Sequence, residues 1–226
     1  GSSVFFVSLG QFFYGFQTVL ELTGILHVFS NTTKIYLFRK SIDWKLVLWI
    51  GVSSIICAIG GAFLTKVVSF TYAKVLLGIF LVVLSILLFV KPKARIDPTL
   101  TNSISGGALA GFLAGFIGTG GAIRGIVLAA FSLEKNLFVG TSAAIDFGVD
   151  FSRMIIYLDN GFLDTEYLWA IPSLFVGAVL GSYLGKRILD KISQETFRTI
   201  ILGLILMIGM SLIANEIITT LNDYSF

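Results

Sequence analysis

Four long apolar runs constrain this chain more than any other feature. They cover residues 44–64, 75–90, 167–185 and 199–214. Each approaches or exceeds the ~17–25 residues with which a helix crosses a hydrocarbon core. Only 13% of the 226 residues are charged and 56% are hydrophobic, whereas a soluble domain carries roughly 25% charge. The reading is an all-α, polytopic helical membrane protein of the cytoplasmic membrane, with the lipid bilayer as its partner and no room for an extramembrane domain.

The remaining composition narrows the chemistry. The net charge of +3 does not suggest nucleic acid, because the cations lie at helix ends, where membrane proteins keep them for topology. Cys57 is the single cysteine and His27 the single histidine. No cluster with metal-ligand spacing exists, and no cofactor or metal is implied.

The two halves resemble each other. At a shift of 121 residues, Tyr36-Leu37 falls on Tyr157-Leu158, Ile42-Asp43 on Leu163-Asp164, Gly60 on Gly181 and Lys66 on Arg187. A slightly larger shift sets Leu77-Gly78 on Leu202-Gly203. The loop around Arg39, Lys40 and Lys45 is basic, and its counterpart around Asp159, Asp164 and Glu166 is acidic. Positive loops stay cytoplasmic, so the halves 1–95 and 96–226 read as inverted repeats with short broken helices meeting at the bilayer midplane. Lys66 and Lys74 run against this assignment. Helices are expected at 2–14, 16–38, 44–66 and 72–90 in the first half. The second half gives 103–118, 121–133, 137–158, 165–189 and 196–218. The partner of helix 103–118 would precede residue 1, so a further first helix is expected there; the alternative is an asymmetric repeat.

A glycine-rich stretch, Gly118-Thr119-Gly120-Gly121-Ala122-Ile123-Arg124-Gly125, separates two of these segments. Irregular backbone at membrane depth survives only where protein buries it or it lines a watery cavity. A helix starting near Gly121 would offer free N–H groups to an anion. Arg124 would add a planar donor fork suited to oxyanions. The competing explanation is tight helix packing by small residues, which is also the reading for Gly106, Gly107, Gly111 and Gly115, and for Gly177 and Gly181.

Polar residues within the apolar segments complete the candidate set. Thr141 and Ser142 stand where hydroxyls at a helix start would cap it or donate to an anion. Asp146, Asp150 and Arg153 fall on one helical face, where Asp150 can pair with Arg153. Gln17, Glu21, His27, Asn31 and Lys34 form a broad polar stripe in the first half. Lys34 is expected to snorkel to the interface. Glu21, His27, Asp146, Asp150 and Arg153 are candidates for proton coupling or gating, or else for structural pairing. Trp44, Trp49 and Trp169 read as an aromatic belt.

Taken together, the bend Gly118-Thr119-Gly120-Gly121-Ala122, the later Gly140-Thr141-Ser142 and the run from Asp150 to Tyr157 resemble the TauE/SafE sulfite-exporter family (TSUP permeases). Ile42-Asp43-Trp44 after Arg39-Lys40 adds to the resemblance, which covers nearly the whole chain. Ala122 replaces the last glycine of the family's bend, and Arg124 is not a general family feature. In the first half only Gly1-Ser2-Ser3 matches a bend, and Leu20-Glu21-Leu22 occupies the place of Gly-Thr-Ser. The resemblance implies transport of a small sulfur anion such as sulfite or an organosulfonate. Gly118, Thr119, Gly120, Gly121, Arg124, Thr141, Ser142, Ser2, Ser3 and Asn31 are then the candidate substrate contacts. The expected function is a secondary anion transporter, not an enzyme, working by alternating access. An anion channel is the close alternative, an intramembrane enzyme the remote one, and a homodimer is compatible with either form of transport.

Overall fold

The computed structural model describes residues 16–64, 70–91, 95–117, 120–159 and 165–223. Among them eight α-helices occur and no strand. They are α1 (Phe16–Leu37), α2 (Trp44–Leu64), α3 (Phe70–Val90), α4 (Leu100–Ile117), α5 (Gly120–Ala130), α6 (Lys135–Asp159), α7 (Ala170–Lys191) and α8 (Gln194–Asp223). A 3-10 turn, Thr165–Tyr167, precedes α7. The expected helix at 2–14 lies outside the described residues. The apolar run expected at 167–185 does not begin as a helix. It opens with the end of the 3-10 turn, and α7 starts at Ala170 with Pro172 in its first turn, where a missing N–H is tolerated.

The chain forms two compact units, residues 1–44 with 136–192 and residues 45–135 with 193–226. Each draws on both halves of the sequence. In the first unit α1 packs along α7, with Phe29 edge-on to Phe175 at 5.3 Å. Val19, Leu22, Ile25 and Val28 recur on the buried side of α1, as helical periodicity requires. Three of the four threonines of α1 satisfy themselves: Thr23, Thr32 and Thr33 each donate to the carbonyl four residues back. Such back-bonding suits a hydroxyl that has no water to bond. α6 runs antiparallel to α1. Gly24 meets Met154, Asn31 meets Asp150, and Gly140 lies against Phe38 and Ser41.

In the second unit α3 packs on α8 and α4 on α5. The glycine stripe of α4 does what its spacing suggests. Gly107 lies against Ile50 and Ser53 of α2, and Gly111 against the Ser54 backbone. Ser54 Oγ donates to the Gly107 carbonyl at 2.8 Å. Gly177 and Gly181 differ from expectation: no described atom comes within 4 Å of where a Cβ would stand. Among the described residues their face of α7 is open, and none packs on these glycines.

The same unit shows a lipid-facing exterior. Leu48, Val52, Ile55, Ile56 and Ile59 of α2 are exposed, while Leu46, Ile50 and Ser54 are buried. On α3 the exposed stripe is Leu76, Ile79, Val83, Ile86 and Val90. Apolar faces this long exceed what soluble monomers show to water. Among the described residues, Trp44–Gly61 and Gln194–Ala214 are long and apolar enough to cross a bilayer, and Val75–Val90 and Gly121–Ala130 are shorter apolar stretches. At 11 residues, α5 is about 16 Å long, roughly half a hydrocarbon core.

Candidate functional site

The first unit holds a chain of buried and half-buried polar groups. His27, Asn31 and Lys34 recur at helical spacing on α1, and Asp150 reaches them from α6. Asn31 donates its side-chain amide to Asp150 Oδ2 at 3.0 Å. His27 Nδ1 lies 3.3 Å from the same oxygen. Lys34 Nζ donates to Asn31 Oδ1 at 3.2 Å. Asn31 and Asp150 are both buried. A single acidic side chain at a bilayer centre costs about 2.5–3.5 kcal/mol by insertion scales; two or more donors around Asp150 offset that penalty.

Three buried side-chain atoms of α1 stay open among the described residues. His27 Nε2 is buried and has no hydrogen-bond partner among the described residues. Glu21 is fully buried, and both its carboxylate oxygens are likewise without a partner. Orphaned buried polar groups are rare in native structures and call for an explanation such as a transferred proton or a ligand.

Further along α6, Ser142 Oγ donates to Asp146 Oδ2 at 3.2 Å. Thr141 is fully buried and accepts the backbone N–H of Asp43 at 3.0 Å. The expected capping role for Thr141 and Ser142 does not match their place. α6 begins at Lys135, so both hydroxyls lie inside the helix. Thr141 instead ties the turn after α1 to α6. Gly140 makes that contact possible, since a Cβ there would run into the Ser41 carbonyl.

The glycine bend belongs to the second unit. Gly118 and Thr119 lie outside the described residues, as do Ser2 and Ser3. Gly120 and Gly121 open α5, and Arg124 follows one turn in, buried to 8% exposure among Ile123 and Ile126. The far end of α5 is anchored firmly. Ser132 adopts a left-handed φ of 53°, and its hydroxyl accepts from Arg198 at 3.0 Å. Gln194 at the head of α8 accepts the Lys135 N–H at 2.8 Å and donates to the Leu133 carbonyl at 2.9 Å.

Of the residues singled out from sequence, His27, Asn31 and Asp150 come together, and Ser142 meets Asp146. The side chain of Arg153 lies outside the described residues, as does that of Gln17. Sequence reasoning left Lys34 out of the site, although its spacing from His27 and Asn31 was the available signal. It also missed the Ser30–Ser182 contact between α1 and α7, with hydroxyls 3.4 Å apart, which no local pattern announces.

Comparison with known proteins agrees with this picture. The family model described as sulfite exporter TauE/SafE matches residues 1–212. The "Probable membrane transporter protein MJ0441" of Methanocaldococcus jannaschii is 28% identical over 83% of this chain and 76% of its own length. The "Probable membrane transporter protein YunE" of Bacillus subtilis is 26% identical over 86% of this chain and 77% of its own. No solved structure matches the chain. A chain whose described residues form helices with apolar outer faces, and whose residues 1–212 match the family model, belongs to the TauE/SafE sulfite-exporter family of membrane transporters.

Proposed function

We propose that this protein is a secondary transporter for a small anion, a sulfur oxyanion or organosulfonate such as sulfite or sulfoacetate. The observation that carries the reading is the array of buried Asn31 and Asp150 with half-buried His27 and Lys34, together with the fully buried Glu21 on α1. Ionisable groups are kept inside a membrane protein at substrate or ion pathways and proton relays. The family's name suggests the class of cargo, and the relatives' names support a membrane transporter.

In this reading Gly120, Gly121 and Arg124 at the start of α5, with Gly118 and Thr119 before them in sequence, are candidate anion contacts of the second unit, and Asn31, Thr141 and Ser142, with Ser2 and Ser3, are candidate contacts of the first. Free N–H groups at a helix start and a guanidinium both favour an oxyanion. Glu21, His27, Asp146, Asp150 and Arg153 couple or gate the movement. Alternating access arises from two inverted repeats, residues 1–95 and 96–226, rocking about the site. Two features support that arrangement. α1 and α6, which correspond at the 121-residue shift, run antiparallel, and α5 has the length of a half-helix.

Thermal stability of the purified protein, read against sulfite, thiosulfate, sulfoacetate, taurine and sulfate, tests the assignment. A ligand that binds only the folded state raises its apparent stability. One sulfur anion should stabilise the wild type selectively, and Arg124→Ala should weaken the apparent affinity by roughly tenfold or more, in line with a lost charge-assisted bond. An equal shift in the variant removes Arg124 from the site.

A further inference from the structure

α1 and α7 finish side by side. Lys186 Nζ sits 5.2 Å from the centre of the Phe38 ring, which sets the last turns of α7 beside the turn that follows α1. Arg39 and Lys40 in that turn and Lys186, Arg187 and Lys191 on α7 therefore share one end of the first unit. The nearby Asp190 is already engaged, accepting from Lys186 at 3.0 and 3.1 Å. Among the described residues no ion pair reaches Arg187 or Lys191. Both are exposed, and they stand four residues apart on one face of α7. Like charges at that spacing destabilise a helix unless something negative lies between them.

The surface leading to this pair is apolar. Leu180, Leu184 and Ile188 lie on the same face and are 57%, 58% and 63% exposed. An acyl-chain track thus ends in two cations that meet no counter-ion among the described residues. We propose that Arg187 and Lys191 bind the headgroup of an anionic phospholipid, whose chains run along Leu180, Leu184 and Ile188. The guanidinium fork suits a phosphate bidentately and the ammonium adds a point charge. Basic groups next to membrane helices attract anionic lipids in this manner. The site is distinct from the Asp150 array and depends on the protein's place in a bilayer, not on which anion it carries.

Native mass spectrometry of the detergent-purified full chain with equal amounts of phosphatidylglycerol and phosphatidylcholine tests the proposal. The wild type should retain phosphatidylglycerol with a preference of roughly tenfold, because each basic side chain near the headgroup adds to it. Arg187→Gln combined with Lys191→Gln should abolish the preference, and Lys91→Gln combined with Arg95→Gln, an equal loss of charge elsewhere, should leave it intact. Asp190→Asn frees Lys186 and should raise the preference. Equal retention of both lipids by the wild type overturns the proposal, as does a preference that survives the double substitution. Competition by soluble glycerol 3-phosphate at the lipid's own concentration would mean a free-phosphate site in place of a lipid one. If the double variant fails to fold, Asp190→Asn decides, and an unchanged or lowered ratio counts against the site.

Discussion

Asp150 is the residue on which the polar groups of the first unit converge. It accepts from Asn31 and faces His27 through a single oxygen, so its charge holds α1 and α6 in register. Asp150→Asn keeps the shape and removes the charge. Hydrogen bonds to charged groups contribute about 1.5–3 kcal/mol each, and the melting temperature should fall accordingly; transport should drop by roughly tenfold or more. A variant with normal flux would reduce Asp150 to a packing residue. The sequence singles out Asp150, His27 and Asn31 and offers Arg153, whose side chain lies outside the described residues, as a partner on the same helix; it does not announce that Asn31 and His27 meet Asp150 from α1. Spacing reveals which residues share a face; it does not reveal which foreign helix that face will meet. Lys34 shows the same limit, read as a snorkelling cation and found bonded to Asn31.

The helices themselves were readable because hydropathy and length determine them in a bilayer. Their contacts were readable only in part. Small residues at helical spacing on α4 do admit α2 closely, since a Cβ at Gly111 would enter the Ser54 backbone. Gly111→Leu should therefore destabilise the protein by about 1–3 kcal/mol or more, the usual range for overpacking. Gly177→Ala should be neutral or mildly stabilising, because alanine is the better helix former by up to ~1 kcal/mol and the space there is open. Thermal denaturation of both variants checks the contrast, and equal effects would contradict it. The pattern of glycines is alike in the two helices. Whether a neighbour approaches is a tertiary fact that the pattern does not contain.

On the scale of the whole molecule, the antiparallel course of α1 and α6 carries a topological consequence. α6 is 25 residues long, about 37 Å, and starts beside the turn that holds Lys40. Cysteines placed at Lys40 and at Glu166 should be labelled from opposite sides of the membrane, and labelling from one side would end the inverted-repeat account. The membrane class and the broad function were legible because composition, apolar runs and family motifs all bear on them. The identity of the anion was not, because it depends on a few side chains brought together by folding. The central claim is that the acidic and basic groups of α1 and α6 move a sulfur anion with protons. Sulfite flux into proteoliposomes under an imposed pH gradient tests it most directly. The account predicts saturable flux that responds to the gradient in the wild type and loses that response in Glu21→Gln. Flux that is linear in sulfite and indifferent to the gradient in both proteins would contradict it and point to a channel.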